Sequence, residues 1–113
     1  MIALAQIETH DMSEALITKT QEQSLLWLTL NRPEKRNPLS SEMIAELSTA
    51  LRAGYEDDTT RVIIINSAGV AFSAGHDLAE IQQRADEPFD EWQQRLTALL
   101  SACADMMSGI VHA

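Results

Sequence analysis

One cysteine, Cys103, stands in a chain of 113 residues. A single thiol closes no internal disulfide and builds no cysteine-rich zinc site, so the chain must hold together by packing, which suits a reducing cytoplasm. Basic residues are scarce as well. Eight Lys and Arg against seventeen Asp and Glu leave a net charge of −9, a balance that repels phosphate backbones and anionic lipid, so nucleic acid is not an expected partner. Long apolar runs are absent. The longest aliphatic stretch, Val62-Ile63-Ile64-Ile65, is far short of the ~20 apolar residues that cross a bilayer, and no membrane span is expected. At the start, Met1 to Gln6 has no basic residue, and Gln6, Glu8, His10 and Asp11 interrupt any signal-peptide core. A cytoplasmic protein is the expectation. Glycine and proline number only four and three; they punctuate turns rather than forming a linker, and no repeat divides the chain.

What is present is enough for one core. At 45% hydrophobic and 22% charged, the composition is that of a globular domain, not a disordered chain. Ala15 to Thr20 and Ser24 to Asn31 read as two strands of an antiparallel hairpin around the polar turn Gln21-Glu22-Gln23. In the second strand Leu26, Leu28 and Leu30 share one face and Leu25, Trp27 and Thr29 the other, so the strand should lie inside a larger sheet. Pro33 and Pro38 bracket a rigid loop. Ser40 or Ser41 then offers an N-cap, and Met43, Ile44, Leu47, Leu51 and Tyr55 predict an amphipathic helix ending near Glu56. Val62 to Ile65 is apolar on both faces and predicts a central parallel strand. A short helix follows over Leu78 to Arg84. A last helix opens with Pro88 at its first position, its stripe running through Phe89, Trp92, Leu96, Leu99, Leu100, Cys103, Met106, Met107 and Ile110. The sulfur of Met43, Met106, Met107 and Cys103 reads as core packing, and His10 and His112 as residues of fraying ends.

Two loops carry the residues with chemical potential. Ala68-Gly69-Val70-Ala71-Phe72-Ser73-Ala74-Gly75-His76-Asp77-Leu78 leaves a buried strand and enters a helix. Its small residues let a ligand approach the backbone. Asp77 can cap the helix, and the N–H groups around Gly75 and His76 lack an obvious intrahelical partner, which is half of an oxyanion hole. Spacing alone is better served by a plain strand-to-helix turn, with glycines for positive φ, Asp77 only as a cap and His76 facing solvent or hydrogen-bonded. Adjacent His76 and Asp77 make a poor chelate, and no metal is assigned. In the earlier loop Arg32, Lys35 and Arg36 fall within five positions and reverse the acidic balance locally, as phosphates require. The alternative is a solvated turn in which Arg36 pairs with Glu34 or Glu42.

Taken together, Leu28-Thr29-Leu30-Asn31-Arg32-Pro33-Glu34-Lys35-Arg36-Asn37-Pro38-Leu39-Ser40, then Arg61-Val62-Ile63-Ile64-Ile65, then the alanine-glycine-x-aspartate-leucine loop resemble the enoyl-CoA hydratase/isomerase family, the crotonases. The resemblance runs from about Leu16 to about Glu80. It implies an α/β chain with the crotonase-like ββα spiral fold, present incompletely: residues 1–113 as the amino-terminal part of one domain, ending before the second oxyanion-hole segment and the acid-base glutamates. It implies an acyl-CoA thioester as substrate, in the lyase and isomerase chemistry of fatty acid metabolism. Coenzyme A enters as part of the substrate, with no separate cofactor. By position it implies that the backbone N–H of His76 is one oxyanion donor, where hydratases more often carry alanine, and that Lys35, Arg36, Ala74, Gly75, His76, Asp77 and Leu78 contact substrate. Glu80, Glu87 and Glu91 have no spacing that marks an acid-base pair. The expectation is a segment that binds acyl-CoA and is inactive alone. The wide stripe of the last helix implies self-association into a homo-oligomer; the alternative function is a non-catalytic interaction module on the same scaffold.

Overall fold

The structure, a computed structural model, describes residues 15–112. The readings at Met1 to Gln6 and at His10 lie outside the described residues. Strand β1 (Ile17–Glu22) and strand β2 (Leu25–Leu30) form the hairpin, antiparallel from Ile17 opposite Leu30 to Glu22 opposite Leu25. The turn is therefore Gln23-Ser24, two residues later than the polarity of Gln21-Glu22-Gln23 suggests. Two-residue hairpin loops require a positive φ that matches strand twist, and Gln23 supplies it at 57°. Gln21 and Glu22, though polar, stay in the ladder.

Strand β3 (Val62–Ser67) pairs parallel with β2, from Leu25 opposite Val62 to Leu30 opposite Ser67. The sheet order is β1-β2-β3, so β2 is central, and the expectation of a central β3 is corrected: among the described residues it is an edge. Its two-sided apolar pattern remains, and it leaves Val62 49% exposed and Ile63, Ile64 and Ile65 only half-buried. Helix α1 (Ser41–Glu56) is the crossover between β2 and β3, as a parallel pair demands. Ser40 is its N-cap, the hydroxyl accepting the Met43 N–H at 3.1 Å.

The core lies between α1 and one sheet face. Leu28 and Leu30 are 0% and 1% exposed and meet Met43, Ile44, Leu47 and Leu51 of α1. Gly54 lets the helix close onto the sheet, since a Cβ there would stand 2.8 Å from Ile63 Cδ1 and 2.9 Å from Leu26 Cδ2. Tyr55, assigned to the apolar stripe, is 42% exposed. Helix α2 is a single turn (Leu78–Ile81), shorter than Leu78 to Arg84. Helix α3 (Phe89–Val111) follows, with Pro88 in the capping position rather than inside the first turn. Only Leu99, Cys103 and Met106 of its wide stripe are buried against the core. Leu100, Met107 and Ile110 remain well exposed, so Met107 is not a core residue. Among the described residues no helix is long and apolar enough to cross a membrane.

Candidate functional site

The site is built where the end of β3 meets the turn after β2. Beyond Ser67 the chain stays tied to the sheet by the Ala68 N–H, which donates to the Leu30 carbonyl at 2.9 Å. Gly69 then adopts φ +89°, and a Cβ at that position would fall 2.7 Å from Pro33 Cβ. Gly69 is a packing glycine: it lets the second loop lie against the proline of the first. Gly75 also has a positive φ, +90°, but an added Cβ would meet nothing within 4 Å. The space over Gly75 is open.

The peptide between Gly75 and His76 is held from its oxygen side. Leu39 and His76 form an isolated parallel bridge, in which the Leu39 N–H donates to the Gly75 carbonyl at 2.7 Å. This peptide is trans, so its carbonyl and N–H point in opposite directions. Pinning the oxygen inward turns the His76 N–H away from the bridge, and among the described residues that N–H has no acceptor. A hydrogen bond to the carbonyl also polarises the N–H of the same peptide. Neighbouring bonds fix the loop on both sides: the Ala74 N–H donates to the Arg36 carbonyl at 2.8 Å, and the Gly75 N–H to Ser73 Oγ at 3.1 Å.

Asp77 caps α2 as expected, its carboxylate accepting the Ala79 N–H at 3.0 Å. The His76 imidazole is only partly exposed, and its Nδ1 is buried with no partner among the described residues. Leu78 stays 68% exposed at the mouth of the loop, and Phe72 is exposed to a similar degree. Phe72 carried no signal in the sequence beyond being aromatic in a loop of mostly small residues.

In the first loop a 3-10 turn (Pro33–Lys35) ends at Arg36, which adopts φ +62°. Arg32 is bound to Glu34 at 3.3 Å. Lys35 and Arg36 are exposed, and among the described residues neither forms an ion pair. The pairing of Arg36 with Glu34 or Glu42 is thus replaced by one through Arg32, which leaves two cations free beside the loop of His76.

Glu80 and Arg95 close the corner behind the site, and local spacing revealed neither. Glu80 accepts the Ser41 N–H at 2.9 Å and the Ser41 hydroxyl, holding α2 against the start of α1. Its partner lies 39 positions away. Arg95 donates to the Glu80 carbonyl and, at 2.9 Å, to the Gln82 carbonyl. Gln82 turns extended and ends α2, and Arg95 satisfies carbonyls that a longer helix would have used within itself. Arg95 also meets the Glu87 carboxylate at 2.8 and 2.9 Å. Its guanidinium, helped by the Arg84 N–H, pulls the Glu87 pKa down to about 2.

An open groove of about 690 Å³ lies elsewhere, between α1, β3 and the end of α3. Its walls include Leu51, Tyr55, Ile63, Ile65 and Ile110, and its lining holds none of Lys35, Arg36 or Ala74 to Leu78.

An α/β chain with a loop-borne, unpaired N–H over a glycine is the class that fold and loop define. The enoyl-CoA hydratase/isomerase family model matches residues 20–113, and the chain belongs to that family. It is 44% identical over 57 residues to the 1,2-epoxyphenylacetyl-CoA isomerase of Escherichia coli, covering 50% of this chain and 22% of that protein. To the mitochondrial enoyl-CoA hydratase domain-containing protein 2 of Mus musculus it is 39% identical over 84 residues, 73% of this chain and 28% of that one. The crystal structure of an enoyl-CoA hydratase/isomerase family protein from Silicibacter pomeroyi superposes with a TM-score of 0.74 at 38% identity, covering 86% of this chain and 39% of the other. The described elements are thus part of a crotonase-like α/β fold. The chain spans less than a third of the length of the curated relatives it matches.

Proposed function

We propose that this chain binds an acyl-CoA thioester and supplies the His76 backbone N–H as one donor to the thioester oxygen. The observation that carries this reading is the Gly75–His76 peptide. Its carbonyl is tied down by Leu39, its N–H has no acceptor among the described residues, and the space over Gly75 is open. A donor on the thioester oxygen stabilises the negative charge that develops there in the enolate-like oxyanion of this family's chemistry, and one such donor is typically worth ~10²- to 10³-fold in rate. Lys35 and Arg36 supply charge for the phosphates of coenzyme A. Ala74 to Leu78 line the thioester, with exposed Leu78 against the acyl group. The reading assigns the chain binding and polarisation without turnover.

Calorimetry with butyryl-CoA should give saturable binding, and replacing Lys35 and Arg36 together by Gln should weaken it about 10-fold, or ~1.4 kcal/mol. Infrared spectra of butyryl-CoA labelled with carbon-13 at the thioester should show the carbonyl stretch move to lower frequency on binding. His76→Ala, which keeps the N–H, should preserve that movement, and His76→Pro should abolish it. Equal spectra for the two variants would refute the donor.

A second reading, a non-catalytic module that assembles with further copies of itself, is favoured by one observation. The edge of β3 and the outer stripe of α3 leave Val62, Leu100, Met107 and Ile110 38 to 49% exposed. Stable oligomers together with no coenzyme A binding would support it over the first.

A further inference from the structure

Asn37 is 0% exposed, yet it is polar and lies in a loop. Every hydrogen-bonding group of its side chain is used. Oδ1 accepts the Arg32 N–H at 2.7 Å, and Nδ2 donates to the Ala68 carbonyl at 2.9 Å and the Ala71 carbonyl at 3.1 Å. Its main chain is equally committed. The N–H donates to the Arg32 carbonyl at 2.9 Å, and the carbonyl accepts the Ser73 hydroxyl at 2.8 Å. Ser73 Oγ in turn accepts the Gly75 N–H. One residue therefore closes the turn from Arg32 and grips the second loop at Ala68, Ala71 and Ser73, and the last grip reaches the residue before His76.

We propose that Asn37 is a positioning residue: its amide locks the two loops in the one register that brings Leu39 under the Gly75 carbonyl and so aims the His76 N–H outward. This rests on the reading of that N–H as the thioester donor. Two requirements meet at this position and select asparagine. The backbone φ is +53°, a left-handed conformation that asparagine tolerates better than most residues. The site also needs one acceptor and two donors on a short side chain. Aspartate offers acceptors only, and glycine offers the conformation without the amide. Among the described residues the main chains of the two loops meet at only a few points, the Leu39 N–H on the Gly75 carbonyl and the Ala74 N–H on the Arg36 carbonyl, and the Asn37 amide adds the buried bonds to Ala68 and Ala71 that fix which residues face each other.

The test uses the whole chain, free and with carbon-13-labelled butyryl-CoA. Asn37→Gly keeps the backbone conformation and the carbonyl that accepts the Ser73 hydroxyl, and deletes the three bonds of the amide. In the free chain it should speed hydrogen exchange at the Leu39 and Ala74 amides by about 10-fold or more, while amides of β2 and α1 keep their protection. With ligand, it should lose most of the carbonyl frequency shift while butyryl-CoA binding changes by less than about 3-fold, because Lys35 and Arg36 remain. Ser73→Ala leaves the amide in place and breaks the link from the Asn37 carbonyl through the hydroxyl to the Gly75 N–H; it is the milder variant if Asn37→Gly does not fold and should give both effects in smaller measure. Unchanged exchange at Leu39 and Ala74 in a folded variant overturns the assignment, as does an unchanged carbonyl shift. A wild-type chain whose bound thioester shows no shift overturns the His76 reading, and the register role of Asn37 is then decided by the exchange rates alone.

Discussion

Gly69 and Gly75 share nearly the same positive φ, and their surroundings separate them. Alanine at 75 meets open space and should cost only the backbone strain, about 1–2 kcal/mol. Alanine at 69 adds a collision with Pro33 Cβ and should cost about 2–4 kcal/mol in all; urea unfolding of the two variants checks the order. Glu87 is a second case in which a residue's neighbours decide its behaviour. Because Arg95 lowers its pKa to about 2 from 4.5, its contribution to stability is fully present above the ordinary value and is lost as pH falls through about 2. Titration followed by carboxyl carbon-13 shifts should place the Glu87 midpoint near 2, and Arg95→Gln should return it toward 4.5. A midpoint that ignores Arg95 would remove the ion pair from the account.

Among the elements, α2 depends most on others. Four residues long, it is too short to stand alone, and it is held by the Glu80 carboxylate on Ser41 and by Arg95 on its final carbonyls. Arg95→Ala should therefore raise hydrogen exchange selectively in residues 78–87 and leave β1 and β2 unchanged; uniform loss of protection would show that the corner is not a separate unit. Helix α1 sits at the other extreme. Its Ser40 cap and its buried Met43, Ile44, Leu47 and Leu51 are all readable at helical spacing, and Ser40→Ala should cost about 1 kcal/mol in thermal or urea unfolding. Strand β3 falls between the two. Its apolar run marks it as a strand, but its place at the sheet edge depends on what pairs with it.

For the whole molecule, that edge carries a consequence. Val62 to Ile65 has no charge or proline to discourage pairing, no further strand pairs with it among the described residues, and an open apolar edge recruits further strands. Light scattering at micromolar concentration should find the chain self-associated. Val62→Lys, a change at an already exposed position, should shift it toward monomer without unfolding the sheet. Added salt should strengthen the wild-type association by screening the net charge of −9. A folded wild-type monomer would end this expectation.

Much of the protein was determined by the order of its residues alone. The alternation of Leu26, Leu28 and Leu30, the spacing of Met43 to Leu51, the proline-bracketed loop and the alanine-glycine-x-aspartate-leucine loop name the elements and the family, because periodicity and turn chemistry act over a few neighbouring positions. Only the tertiary structure decided the rest. Gln23 rather than Gln21 became the turn because strand twist and register, not polarity, place a hairpin loop. Half the stripe of α3 stayed exposed because burial depends on what lies opposite. Asn37 reads in sequence as the start of a turn before Pro38, and its grip on Ala68 and Ala71 spans 31 and 34 positions. Hydrogen bonds that close such distances are fixed by how the loops meet in space, and that meeting is what leaves the His76 N–H free.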